Sequence, residues 1–444
     1  MRGTSRPINI STKLERIASL ARQRPALVLT TLAHHIDRDF LTEAYRRTRT
    51  DGAVGVDGQT AEAYAANLEA NLDSLLTRLK AGTYKAPPVR RVHIPKRERG
   101  KTRPIGIPTF EDKILQRAVA MVLEAVYEQD FLPCSYGFRP GRSAHQALQT
   151  LWEALTAMGG GWVLEVDIQG FFDTLDHGHL RRFLDQRVRD GVLRRMIDKW
   201  LKAGVLTEGR VEHPEAGTPQ GGVLSPLLAN IYLHEVLDHW WETVVQPRLR
   251  GRALLIRYAD DFVLVFTVEA DARRVAAVLP QRLAKYGLTV HPAKTRLLQF
   301  TPPRGSAGRS ARPPTFDLLG FTHHWTISWR GRWVLRRTTA RSRFSWSVHT
   351  AAMWCRLHRH DPLAVQHRRL NRMLRGHYAY FGITGNFRKL ARYRAEVVRA
   401  WRKWLDRRSQ RARMSWGRFH QLLERYPLVP PIVVHSVYRS AAKP

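Results

Sequence analysis

The sequence predicts an α+β protein, and three observations carry that class. Two apolar runs of strand length, Ala253-Leu254-Leu255-Ile256 and Phe262-Val263-Leu264-Val265-Phe266, flank Tyr258-Ala259-Asp260-Asp261. That pattern reads as strand, tight turn, strand, with two carboxylates at the turn. Residues 162–300 alternate strand and helix patterns: Trp162–Val166, a helix from His177, Val223–Leu237, the acidic hairpin, then Ala270–Tyr286. Residues 11–80 and the segment after 340 carry helical periodicity instead.

Taken in order, Leu68, Leu72, Leu75, Leu76 and Leu79 recur at three- and four-residue spacing and predict an amphipathic helix. The preceding Gly52-Ala53-Val54-Gly55-Val56-Asp57-Gly58 is a glycine-rich loop without a nucleotide-binding consensus. Residues 84–110 read as a basic hairpin, with Arg97 to Lys101 in the turn and Pro95, Pro104 and Pro108 arguing for edge strands. Glu111 to Tyr127 predicts a helix burying Ile114, Leu115, Ala118, Val122 and Leu123. Thr301 to Pro314 is a Pro/Gly/Ser/Arg loop. Further on, Leu370, Leu374, Tyr378 and Phe381 form an apolar helical stripe that Gly382 and Gly385 end.

The 444 residues suffice for two or three domains. Lys and Arg number 73 against 38 Asp and Glu, a formal charge of +35, and the pI is near 11.2. Solubility needs a net charge of only about 2–8 in a small domain, so the excess points to a polyanion partner. It is concentrated from Gly331 to Pro444, where 26 Lys and Arg face four acids. Arg dominates there and suits phosphate forks and base stacking. Trp333, Trp346, Trp354, Trp401, Trp404 and Trp416 are interleaved, a mixture fitting structured or single-stranded nucleic acid as well as a core.

The two cysteines, Cys134 and Cys355, build neither a zinc site nor a disulfide framework. The N-terminus has no apolar signal core, and no apolar run nears the roughly 20 residues a membrane span needs. The expectation is a cytoplasmic protein with no membrane role.

Trp162 to Asp167 is a second strand ending in a carboxylate. Alone, such an aspartate is usually a strand-end residue. With Asp260 and Asp261 it gives three carboxylates at the ends of two apolar strands. If the strands are neighbours, these carboxylates can share two Mg²⁺ ions about 3.5–4 Å apart, and Mg²⁺ prefers a few carboxylates plus substrate phosphates.

The ordered motifs resemble the bacterial group II intron-encoded reverse transcriptase/maturase family. Asp57-Gly58 with Thr60 resembles its N-terminal motif. Ile94-Pro95-Lys96, Arg103-Pro104-Ile105-Gly106-Ile107-Pro108-Thr109 and Glu111-Asp112-Lys113 resemble its fingers. Ser135 to Ser143 matches the next block, Asp167 to Phe172 polymerase motif A, Gly217 to Pro226 motif B and Tyr258 to Asp261 motif C. Gly287-Leu288 with His291 to Thr295 resembles motif D, Leu319-Gly320-Phe321 the primer grip, and Leu370 to Gly382 the maturase or thumb region.

The resemblance implies a right-hand polymerase. Residues 1–80 would form an N-terminal extension and the start of the fingers, 81–160 the fingers and 161–325 a palm with a mixed sheet. Residues 326–425 would form an α-helical, RNA-binding thumb or maturase domain, and 426–444 a short tail. It implies RNA-templated DNA synthesis from dNTPs on a DNA primer, with intron RNA as a further partner and two Mg²⁺ ions, for which Mn²⁺ substitutes. Asp167, Asp260 and Asp261 would hold the metals, with the Ile168 carbonyl as an added ligand. Lys96 and Arg103 would neutralise the triphosphate, or else contact nucleic acid non-specifically. Phe172 would crowd a ribose 2′-hydroxyl, or pack in the core. Gln220 sits in a loop whose glycines let backbone approach the nascent base pair. Lys294 would protonate pyrophosphate as a general acid, or be a surface charge. Arg139 and Arg142 would contact template or brace the fingers, and Arg372 and Arg375 would contact RNA.

Two departures qualify the match. Position 291 is His where Asn is usual. Only about 20 residues follow Arg425, and no Cys lies beyond 355, so a C-terminal His-Asn-His endonuclease domain is expected to be absent. Two other readings stay open: a splicing cofactor with vestigial polymerase activity, and a domesticated relative in phage defence, CRISPR spacer acquisition or repair. Residues 1–80 leave RNA binding and a homodimer contact equally open.

Overall fold

The computed structural model describes residues 10–95, 102–207, 210–212, 217, 221–303, 313–409, 411 and 413–436. The helices are α1 (Ile10–Gln23), α2 (Arg38–Arg46), α3 (Ala61–Ala65), α4 (Leu68–Lys80), α5 (Phe110–Tyr127), α6 (Ala144–Ala157), α7 (Phe171–Thr174), α8 (His177–Asp185), α9 (Gly191–Leu201), α10 (Ser225–Leu233), α11 (Glu269–Ala284), α12 (Arg341–Leu357), α13 (Leu363–Phe381), α14 (Phe387–Asp406) and α15 (Trp416–Arg425). The strands are β1 (Val89–Pro95), β2 (Thr102–Ile107), β3 (Gly161–Asp167), β4 (Val205–Thr207), β5 (Arg210–Glu212), β6 (Ala253–Tyr258), β7 (Asp261–Phe266), β8 (Arg296–Phe300), β9 (Thr315–Leu318), β10 (Phe321–Ile327) and β11 (Trp333–Thr339). The α+β class is therefore observed.

Residues 1–147 and 163–297 form one compact unit. Its first sheet runs β2-β1-β4-β5. The basic hairpin pairs β1 with β2 antiparallel, Ile94 opposite Arg103 and His93 opposite Pro104. Pro104 thus lies on the edge strand, where a missing N–H costs no ladder bond. The second sheet runs β6-β7-β3-β8. Within it β6 and β7 are an antiparallel hairpin with Tyr258 opposite Asp261, so Ala259 and Asp260 form a two-residue loop. β3 is the neighbour of β7, which sets the Asp167 strand beside the acidic hairpin.

The core of this unit follows the sequence pattern. Leu72, Leu75 and Leu79 of α4 are buried, as are Ile114, Leu115, Ala118, Val122 and Leu123 of α5. The 223–237 helix begins two residues later than its pattern suggests, at Ser225, with Pro226 in its first turn. It then widens into π turns at His234–Asp238 and Trp241–Val245.

Residues 148–162 and 298–444 form the second unit. Its sheet runs β11-β10-β9. Arg337 on β11 is buried and donates to the Leu148 carbonyl at 2.9 Å and to Gln149 Oε1 at 3.2 Å. Helices α12 to α15 enclose a core that includes Leu370, Leu374, Tyr378, Trp401 and Phe419. Trp401 is therefore a core residue, its indole N–H donating to Gln366 at 2.8 Å. Helix α13 ends at Phe381 before Gly382, as its apolar stripe requires. Among the described residues, no helix is long and apolar enough to cross a membrane.

Candidate active site

The acidic turn is held in a conformation its sequence does not favour. Ala259 has φ +56°, and the left-handed region costs an L-residue with a Cβ about 1–2 kcal/mol. The stabilising partner is Arg257, 0% exposed on β6. Its Nη1 donates to the Ala259 carbonyl at 3.2 Å and to Asn230 Oδ1 at 3.0 Å. Its Nε donates to Asp238 Oδ1 at 2.7 Å, and its Nη2 to Ser135 Oγ at 2.7 Å and to Asp238 Oδ2. Asp238 is likewise fully buried.

The Ser135–Arg142 motif packs on the same turn. Arg257 N–H donates to the Cys134 carbonyl and Tyr136 N–H to the Arg257 carbonyl, each at 2.9 Å. A Cβ on Gly137 would collide with the Ala259 backbone nitrogen, which is why glycine is needed there. Asn230 of α10 donates to the Gly137 carbonyl at 2.7 Å.

Asp167 ends β3. Its carbonyl accepts from His291 N–H at 2.8 Å, and Gln169 N–H donates to the Thr289 carbonyl at 2.8 Å. Ile168 and Val290 are thus a bridge pair flanked by these bonds. In an antiparallel ladder that turns the Ile168 carbonyl away from Val290, toward the side on which β7 lies. The substitution at 291 is mild because the backbone N–H carries this contact. The 291–295 turn aims Lys294 back, and its Nζ lies 3.2 Å from Asp167 Oδ2.

Burial pushes the Asp260 carboxyl above the ordinary range. The nearby Asp167 charge adds to the rise, while Arg103 and Arg257 oppose it. Asp167, Asp260 and Arg103 therefore share one electrostatic environment. Asp261 opens β7 and is exposed. Among the described residues no three His, Cys, Asp or Glu side chains converge into a ready metal cluster. Asp167 ends β3 and Asp260-Asp261 lie at the β6–β7 turn, so the three expected carboxylates sit at the ends of neighbouring strands. Carboxylate oxygens that share one electrostatic environment, one of them already drawing the Lys294 cation, have the chemistry that suits Mg²⁺.

Phe171 is 2% exposed and packs edge-on against Tyr232, its ring 6.4 Å away. Phe172, on the same turn of α7, is half-buried, so the core role falls to Phe171. Arg142 is exposed, its guanidinium 5.3 Å from the Tyr136 ring. Arg372 and Arg375 are exposed on α13, three residues apart.

Arg139 must be reassigned from template binding. It is 8% exposed. Its Nε and Nη2 grip Glu128 at 3.0–3.2 Å, and its remaining N–H groups reach the carbonyls of Leu132, Ser135 and Phe131. A guanidinium has five N–H donors, and these contacts use all of them. Arg139 braces the loop that supports the acidic turn. Lys96 and Gln220 lie outside the described residues. Sequence reasoning missed Arg257, Asp238 and Asn230; the available signal was an arginine closing an apolar strand run, since Arg is almost never buried without a partner.

An acidic strand-turn-strand lies beside a second strand that ends in a carboxylate, with Lys294 on Asp167 and Arg103 in the same electrostatic environment. Residues 94–323 match the reverse transcriptase (RNA-dependent DNA polymerase) family. Protein YkfC of Escherichia coli (strain K12) is 38% identical over 304 residues, covering 61% of this chain and 78% of YkfC. The group II intron-encoded protein LtrA of Lactococcus lactis subsp. cremoris is 40% identical over 227 residues, covering 50% of this chain and 37% of LtrA. A 91 kDa protein in the cob intron of Schizosaccharomyces pombe is 34% identical over 350 residues, covering 66% of this chain and 43% of that protein. The telomerase of Candida albicans, solved with a fragment of telomeric RNA, is 14% identical with a TM-score of 0.42, covering 82% of this chain and 65% of that one; a likeness of that degree carries no argument. The chain belongs to the reverse transcriptase family.

The Asp260 environment has a measurable consequence. Its folded pKa lies above the ordinary 3.8, so the folded state holds the proton more tightly than the unfolded state. Stability therefore falls as pH rises from the unfolded value through the folded one, and the ionised carboxylate remains a penalty above it. In metal-free buffer, Asp260→Asn is expected to melt higher than wild type at pH 7, with the gap closing as pH falls toward 4. Thermal unfolding across that range checks it; a lower-melting variant at pH 7 contradicts it.

Proposed function

We propose that this chain is an RNA-directed DNA polymerase working at the Asp167–Asp260 centre, and that its basic helical region also binds intron RNA as a maturase. The observation that carries the first reading is the electrostatic coupling of Asp167, Asp260 and Arg103, with Lys294 on Asp167. Asp167, Asp260 and the Ile168 carbonyl would hold two Mg²⁺ ions, with Mn²⁺ able to replace them, and Asp261 would add charge. When bound, such ions lower the pKa of a hydroxyl nucleophile and stabilise charge on phosphate oxygens.

The primer 3′-oxygen attacks the α-phosphorus of the dNTP, forming a P–O bond as the bond to the β-phosphate breaks. Pyrophosphate leaves. Arg103, exposed on β2, would pair with the triphosphate, and Lys96 is assigned to the same task from sequence. The ammonium of Lys294 donates a proton to the leaving pyrophosphate. Phe172 would select the sugar and Arg142 would contact the template, and Gln220 is assigned to the nascent pair from sequence.

Primer extension on an RNA template with dNTPs and Mg²⁺ tests the polymerase. Wild type is expected to extend, and Asp260→Ala to lose at least about 10³-fold in rate, the scale of removing a charged group from a phosphoryl-transfer centre. No extension by wild type, or equal extension by the variant, overturns the reading. Phe172→Ala is expected to admit ribonucleotides; competition between dGTP and GTP reads it, and unchanged sugar selectivity removes Phe172 from that role.

The maturase reading rests on exposed arginines over an apolar core in α12–α15, with Arg372 and Arg375 on one face. Filter binding to a group II intron RNA is expected to weaken steeply with salt. Arg372→Gln with Arg375→Gln should lower the log–log salt slope by about one for each phosphate no longer neutralised. Wild-type affinity and slope in the double variant sink this part.

A further inference from the structure

Helix α10 starts in the protein interior. Leu224 is 2% and Ser225 5% exposed. Leu224 is the N-cap and supplies no side-chain hydrogen bond, and Pro226 stands in the first turn. A buried helix start leaves N–H groups that need acceptors from elsewhere. Gln116, from the middle of α5, supplies one: its Oε1 accepts from Val223 N–H at 2.8 Å and from Leu224 N–H at 3.4 Å.

The amide orientation of Gln116 is dictated by a second buried residue. Gln116 Nε2 donates to Asp112 Oδ2 at 2.9 Å. The other oxygen, Asp112 Oδ1, accepts from Tyr84 Oη at 2.9 Å and Trp200 Nε1 at 2.6 Å. Asp112 is 1% exposed. With three donors on one carboxylate, Nε2 must face Asp112 and Oε1 must face the loop.

Before the helix, Gly217 and the residues from Gly221 to Leu224 are each tightly seated. Gly217 N–H donates to the Leu175 carbonyl at 2.9 Å, and its own carbonyl meets His177 Nε2 at 2.5 Å. A Cβ on Gly217 would meet the Phe172 carbonyl oxygen at 2.8 Å. A Cβ on Gly221, at φ +119°, would meet the Gly106 carbonyl oxygen of β2 at 2.5 Å. Gly217 is thus pinned to the Phe172 turn and Gly221 to the strand that carries Arg103.

We infer that Gln116, oriented by Asp112, is a positioning residue for nucleotide selection: it fixes residues 221–224, which pack on the strand that carries the triphosphate-facing Arg103. The inference rests on the polymerase reading given above. Neither Gln116 nor Asp112 touches substrate; both act through the backbone of Val223 and Leu224.

Single-nucleotide extension on an RNA template, with KM and kcat for the correct dNTP and for a mismatch, tests it. Gln116→Met keeps the side-chain length and removes the acceptor. Its KM for the correct dNTP is expected to rise about tenfold with kcat within about twofold, and discrimination against the mismatch to fall. Asp112→Asn presents an N–H where Oδ2 stood, turns the Gln116 amide over and sets Nε2 against Val223 N–H, so it should show the same split. Gln116→Glu alone opposes two carboxylates and should also be impaired. The double variant Asp112→Asn/Gln116→Glu reverses the donor and acceptor while leaving a carboxylate oxygen for Val223. It is expected to return to within about threefold of wild type, a coupling that two independent structural defects would not show.

Wild-type KM and discrimination in Gln116→Met overturn the inference. So does a folded double variant no better than its parents, with melting curves deciding folding. Extension by wild type with no effect of these changes removes only this inference; absence of extension by wild type removes the polymerase reading itself.

Discussion

The acidic turn depends on one buried guanidinium. Arg257 is fully enclosed and so is its counter-ion Asp238. A lone charge there would be costly, and removing one member of such a pair typically costs about 3–5 kcal/mol. Arg257 offsets its enclosure by directing N–H groups to four residues on three segments: Ser135, Asn230 and Asp238 of one extended helix, and Ala259. Only the last is in the turn. The effect is to tie the strained Ala259 carbonyl to the surrounding framework, so that Asp260 is presented where burial and Asp167 both disfavour its charge. A turn left to its own preferences would relax from the left-handed conformation. The clamp makes that relaxation cost a buried charge-assisted hydrogen bond.

The clamp is itself built on α10. Asn230 lies six residues after the Leu224 N-cap, and Asp238 follows in the π turn that extends the same helix. Inserting a wider turn shifts the helical phase, and Asp238 emerges at Arg257 while His234 packs toward Phe131, ring to ring at 5.6 Å. Gln116 fixes the start of α10 and Arg257 is gripped near its end. Residues 221–224 and the acidic turn are thus joined to opposite ends of one buried rod. Rigid elements hold a constellation more closely than loops do, and here two loops take their precision from a helix.

Much of this was legible in the sequence, and the exceptions share a cause. The β6–β7 hairpin, the Asp167 strand, α4, α5 and the α13 stripe follow from apolar periodicity and turn residues, which are local signals. The buried polar network is not local. Gln116 contacts residues 107 and 108 positions away, and Arg257 reaches back 122 positions to Ser135. Nothing in the α5 sequence says that a glutamine among apolar neighbours caps another helix. The arginines illustrate the same limit. Arg139 and Arg142 are three residues apart in one motif, and sequence gives them the same two roles. Burial separates them: Arg139 uses every donor inside the protein, and Arg142 rests over Tyr136 with its charge in solvent.

The formal charge of +35 places a constraint on this centre that the network answers. A basic surface draws phosphate from every direction and so supplies affinity with little registration. Registration has to come from groups that solvent cations and mobile arginines do not blur. Asp260 is shielded, Arg257 and Asp238 are sealed, and Asp112 and Gln116 are enclosed with their donors and acceptors matched. In such low-dielectric surroundings a misplaced polar group is expensive, so each member has one acceptable orientation. The exposed arginines bring the polyanion to the protein, and the buried pairs fix where on it the chemistry falls.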